Sequence, residues 1–130
     1  SATFSAVSNE NNLPDLVFTN LTITSIADTK VEYSYTIKNV GESTIESLYN
    51  VSIQNFYSAN TVFNDADDKA AGGSILGVST GLAANATYSG TFAAYGAVPA
   101  DKPYLTAKID WGDAISEGNE SNNTIAKLIQ

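Results

Sequence analysis

The sequence predicts an all-β chain, an antiparallel sandwich or barrel of about seven strands, and three observations predict it. Val31, Tyr33, Tyr35 and Ile37 alternate strictly with Glu32, Ser34, Thr36 and Lys38. That period of two is the mark of a strand with one face buried. Leu105, Ala107, Ile109 and Trp111 repeat the pattern near the end of the chain. Between these two stretches, short β-branched or aromatic runs recur between turn signals, and no segment carries a sustained helical period.

Each element follows from local composition. Residues 1–12 are rich in Ser and Asn and read as a lead-in or linker, with a short edge strand at Thr3–Val7; residues 13–130 read as one domain. "DLVFTNLTITSI" supplies a first strand, with Leu21 and Ile23 on one face, and "VEYSYTIKN" the second. "NVGES" is a turn with Gly41 at the reversal. "LYNVSIQNFY" is expected to place Tyr49, Val51 and Ile53 on a shared face. A short strand is expected at Thr61–Phe63, then an acidic loop, paired glycines and another short strand in "SILGV". "TGLAANA" reads as a turn. "TYSGTFAAY" alternates through Tyr88, Gly90 and Phe92, "YLTAKIDW" follows, and "TIAKLIQ" closes the sheet. The expected core faces are Val31, Tyr33, Tyr35, Ile37, Leu105, Ile109 and Trp111.

Composition excludes several chemistries. The 130 residues contain no His, Cys, Arg or Met, and all six basic residues are lysines. Thiolate and imidazole metal sites are therefore absent, as are nucleophilic triads that need an imidazole base. The net charge of −8 disfavours nucleic acid and anionic membrane surfaces as partners. No apolar run approaches the ~20 residues that a membrane-spanning helix needs, so membrane insertion is not expected.

Four motifs together resemble the CARDB family. They are "LPDL" at 13–16, "IKNVGES" at 37–43, "GLAANATYSGTF" at 81–92 and "KIDWGDAISEGNESNN" at 108–123. The last is the most specific, with Asp110, Glu117, Glu120, Asn122 and Asn123 ahead of a final strand. The resemblance implies an immunoglobulin-like antiparallel β-sandwich of two sheets, used as a module in secreted and surface proteins of bacteria and archaea. It departs from the family pattern at Asn85, where a turn glycine is usual. Asn is the next-best residue for a positive φ, so the turn is expected to survive.

The stretch from Asp110 to Asn123 holds four carboxylates and three asparagines. Asp110, Asp113, Glu117, Asn119 and Glu120, with Gly112 and Gly118 allowing the bends, offer oxygen ligands for calcium, although the order matches no EF-hand. "NDADD" at 64–68 is a second acidic cluster. The competing reading is a turn in which Asn122 and Asn123 satisfy the backbone and the carboxylates stay solvated. That reading ranks first, and calcium second. No cofactor is required, and no paired acid and base point to an enzyme.

The chain therefore reads as a non-catalytic adhesion, spacer or interaction module, secreted or on the cell surface, with a protein or a cell-surface glycan as partner. The alternative is a carbohydrate-binding module attached to a secreted enzyme. That alternative expects exposed, coplanar aromatics among Tyr49, Tyr57, Tyr95 and Tyr104.

Overall fold

The computed structural model describes residues 13–64, 66–110 and 123–129. They form seven strands: β1 (Leu16–Ile26), β2 (Lys30–Asn39), β3 (Ser52–Ser58), β4 (Lys69–Ile75), β5 (Thr87–Tyr95), β6 (Tyr104–Ile109) and β7 (Thr124–Leu128). The strands lie in two sheets, β1-β2-β5 and β4-β3-β6-β7, and every pairing is antiparallel. No helix among the described residues is long and apolar enough to cross a membrane.

The core lies between the sheets, built by the alternation read from the sequence. Val31, Tyr33, Tyr35 and Ile37 of β2 are buried, as are Leu105, Ala107 and Ile109 of β6 and Val51, Ile53 and Tyr57 on or beside β3. Trp111 and the stretch Thr3–Val7 lie outside the described residues. Tyr35 sits at the centre of an aromatic run, 6.3 Å from both Phe18 and Tyr33 and 6.4 Å from Tyr88. Edge contacts of this kind place the positive rim of one ring against the negative face of another.

Three sequence expectations need correction. Tyr49 does not share the core face of Val51 and Ile53; it is 51% exposed, in the turn before β3 begins at Ser52. Thr61–Phe63 is not a strand: the chain bends there, and Phe63 is spent on an edge contact with Phe56 at 5.2 Å. The strand expected in "SILGV" starts earlier, at Lys69, and takes in both glycines. Gly72 has φ +87°, and the β3–β4 register shifts between Gln54 and Phe56. A glycine bulge thus lets an edge strand continue where a loop was expected.

Charge is segregated along the molecule. Among the described residues Glu32 is the one carboxylate on a strand, whereas Lys30, Lys38, Lys69, Lys108 and Lys127 all lie on strands. Asp15, Glu42, Glu46 and Asp110 gather at the end where β2 passes to β3. Asp28, Asp67, Asp68 and Asp101 gather at the other end.

Candidate functional site

The acidic stretch is rooted in the sandwich through its two ends. The Ile109 N–H donates to the Asn123 carbonyl at 2.9 Å, and the Asp110 N–H donates to the Ser52 carbonyl at 2.6 Å. Asp110 takes a positive φ of 59°, a conformation that Asn and Asp tolerate better than other side chains. Asp110 and Asn123 are each 1% exposed. A carboxylate and an amide buried to that degree need polar partners, because burial without them is costly. Asp113, Glu117 and Glu120 lie outside the described residues, as do Gly112, Gly118, Asn119 and Asn122. Among the described residues no three acidic side chains come together in a way that would hold a metal. In the second cluster, Asp67 faces Lys102 at 3.9 Å, and Asp101 meets the same ammonium at 3.9 Å.

At the same end of the sandwich sits a polar node that sequence reasoning missed. Asn39, the last residue of β2, is fully buried. Its Oδ1 accepts the N–H groups of Asp15 and Gly41, both at 3.0 Å. Its Nδ2 donates to the carbonyls of Ser43 at 2.7 Å and Leu82 at 3.1 Å. One amide side chain therefore ties the entry to β1, the turn after β2 and the connection before β5. Gly41 completes the closure: a Cβ there would stand 2.3 Å from the Leu13 carbonyl oxygen. Asn85 takes φ 67°, and its N–H donates to the Asn39 carbonyl at 2.7 Å, so the turn survives the departure from glycine as expected. The motifs "LPDL", "NVGES" and "GLAANA" are thus parts of one knot. Their spacing in sequence gave no sign that one asparagine joins them.

Two further buried polar links cross between the sheets. The Tyr33 hydroxyl donates to Asn55 Oδ1 at 2.8 Å, and Asn55 Nδ2 donates to the Ala93 carbonyl at 3.4 Å. The Tyr57 hydroxyl donates to the Gly96 carbonyl at 2.8 Å. Burial pushes the phenols of Tyr33 and Tyr57 above their ordinary range. Burial, with Tyr88 nearby, pushes Tyr35 up to about 12.

An open cleft of about 530 Å³ runs beside β5, lined by Thr24, Lys30, Glu32, Ser74, Thr91 and Tyr95 among others. Lys30 and Glu32, neighbours on one side of β2, pair at 3.2 Å in its wall. The four tyrosines named above do not form a platform. Tyr57 is buried, Tyr49 lies in a turn, Tyr95 is on the three-stranded sheet and Tyr104 on the four-stranded one. Tyr95 is 59% exposed, its ring packed against the edge at Gly72.

Comparison with known proteins agrees with this architecture. The CARDB domain of a Pyrococcus furiosus protein, solved in complex with di-metal ions, matches with a TM-score of 0.52 at 16% identity, covering 88% of this chain and 90% of that one. A domain of a predicted cell surface protein from Methanosarcina acetivorans matches with a TM-score of 0.53 at 25% identity, covering 89% and 90%. β-Glucosidase 3B from Thermotoga neapolitana, in complex with glycerol, gives a TM-score of 0.48 at 8% identity over 16% of its own chain, which says nothing about activity here. No match was found among curated protein sequences. The CARDB family model matches residues 13–127, and the chain belongs to the CARDB family.

Proposed function

We propose that the chain is a non-catalytic module of a larger secreted or cell-surface protein, acting in adhesion, spacing or presentation of a neighbouring domain. One observation carries the reading: among the described residues, polar positions of the family motifs serve the fold. Asn39, Gly41 and Asn85 hold the strand connections, and Asp110 and Asn123 are buried at the root of the acidic loop. The sequence also lacks the imidazole and thiol groups on which most hydrolytic sites depend. The likeness to a cell surface domain from Methanosarcina acetivorans supports an extracellular setting.

Carbohydrate binding is the second reading, favoured by the exposed Tyr95 ring beside a cleft with hydroxyl and charged walls. One experiment addresses both. The chain is incubated with a panel of soluble polysaccharides and peptides, and product release and gel retardation are recorded together. Neither is expected. Turnover lost on Glu120→Gln would overturn the non-catalytic reading. Retardation lost on Tyr95→Ala would favour the second.

Calcium at the 110–123 loop belongs to the same proposal, with Asp110, Asp113, Glu117 and Glu120 as ligands. A divalent cation would relieve the repulsion among these carboxylates. Binding to the folded state would stabilise by roughly 2.7 kcal/mol at a hundredfold excess over Kd, a rise of several degrees in Tm. Thermal unfolding in chelator, Ca²⁺, Mg²⁺ and NaCl at matched ionic strength reads this directly. A Ca²⁺-specific rise abolished by Glu117→Gln supports the site. Identical curves leave the loop as a turn, the outcome that the buried Asp110 and Asn123 favour.

A further inference from the structure

Among the described residues four strand edges bound the two sheets, and three of them are blunted. β1 breaks register with β2 twice, between Phe18 and Asn20 and between Ile23 and Ser25. β4 carries Lys69 and the bulge at Gly72. β7 has five residues, one of them Lys127. Bulges, short length and lysines are the devices that keep an edge from pairing with another chain.

β5 has none of them. It pairs with β2 through nine consecutive residues without a register shift, contains no charged residue and no proline, and among the described residues no strand pairs with its second edge. The Ala93 and Ala94 carbonyls accept hydrogen bonds from Asn55 and Tyr57. Successive carbonyls point to opposite edges of a strand, so one of the two faces the open side, and its second lone pair can still join a ladder.

We propose that β5 is a self-association edge, on which the β5 strand of a second copy adds antiparallel to give a continuous six-stranded sheet. A two-fold axis at Thr91, the middle residue of β5, keeps outward side chains opposite outward ones. It sets Thr91 against Thr91 of the second copy, Ser89 against Ala93, and Thr87 against Tyr95. On the inner face Phe92 meets Gly90, and Tyr88 meets Ala94. Both aromatics are half-buried in the single chain, and each would face a small residue. This alternation of large and small makes the strand complementary to itself. Charge permits the approach: the molecule carries −8, but the nearest charges on this sheet are Lys30, Glu32 and Lys38, with no acidic excess. With one unblunted edge among the described residues, association stops at two copies instead of propagating into a fibre.

Sedimentation velocity on the chain, from about 1 μM to about 1 mM, tests the proposal. A concentration-dependent dimer is expected, with slower amide hydrogen exchange along Thr87–Tyr95 as it forms. Thr91→Lys sets two lysines opposite each other at the axis and should weaken the dimer by about tenfold or more. Because Thr91 is exposed, Tm at low concentration should be unchanged. Thr22→Lys, on the outer face of the blunted β1 edge, should leave the dimer intact. A chain that stays monomeric throughout the range overturns the proposal. So does a dimer that Thr91→Lys leaves untouched, or one that Thr22→Lys disrupts equally.

Discussion

Replacing Asn39 with alanine is expected to lower unfolding stability by about 3–5 kcal/mol, at the upper end of what single substitutions do. The side chain is fully buried and makes four hydrogen bonds, to the N–H groups of Asp15 and Gly41 and the carbonyls of Ser43 and Leu82. Removing it strands groups that each cost about 1–3 kcal/mol when left buried and unpaired. Alanine has no atom that reaches them, and the neighbouring backbone has little slack, since even a Cβ at Gly41 would collide with Leu13–Asp15. Asn39→Asp is no rescue. It keeps an acceptor for the two N–H groups, loses both donors, and brings a charge into the core. The check is the urea midpoint of Asn39→Ala and Asn39→Asp against the parent. A midpoint within error of the parent for the alanine variant would show that the loops satisfy themselves without Asn39.

The fold was legible where burial repeats every second residue. β2 and β6 needed nothing beyond the alternation of Val31–Ile37 and Leu105–Ile109, because one face is sealed by the opposite sheet. The signal failed at the edges. β4 carries Gly72 and Gly73 in its centre, and its burial is confined to Ala71, so no period could show. Tyr49 matched the alternation and still fell outside the strand, because the turn before β3 is fixed by backbone bonds such as Val51 N–H to the Leu48 carbonyl. The polar node was half legible. Gly41 and Asn85 announced turns through their conformational freedom, but two partners of Asn39, Asp15 and Leu82, come from distant segments. A short motif reports its own backbone, not what closes over it. In the acidic loop, Asp110 and Asn123 are buried at the two ends, which composition could not show.

Stability is expected to fall steeply above pH 10, above all through two core tyrosines. The sign follows from which state holds its proton. Both phenols have an ordinary pKa of 10.0; burial raises Tyr35 to about 12 and Tyr33 beyond that. Below pH 10 both states are protonated and the stability is fully present. Above it the unfolded chain releases protons that the folded chain retains, so the folded state loses ground as pH rises. Each tyrosine contributes about 1.4 kcal/mol per pH unit. Tyr35 stops contributing near its own folded pKa of about 12, while Tyr33 continues. Tyr33 is fully buried and Tyr35 is 3% exposed, so solvent does not screen the effect away. Urea unfolding at intervals from pH 8 to 12 measures the slope, and ultraviolet absorbance of the phenolates reports ionisation in the same samples. Tyr33→Phe should start less stable at neutral pH, because Asn55 Oδ1 loses its donor, and should then fall less steeply. A parent protein that remains folded at pH 12 with all seven tyrosines ionised would show that these two phenols reach water without unfolding, contrary to their burial between the sheets.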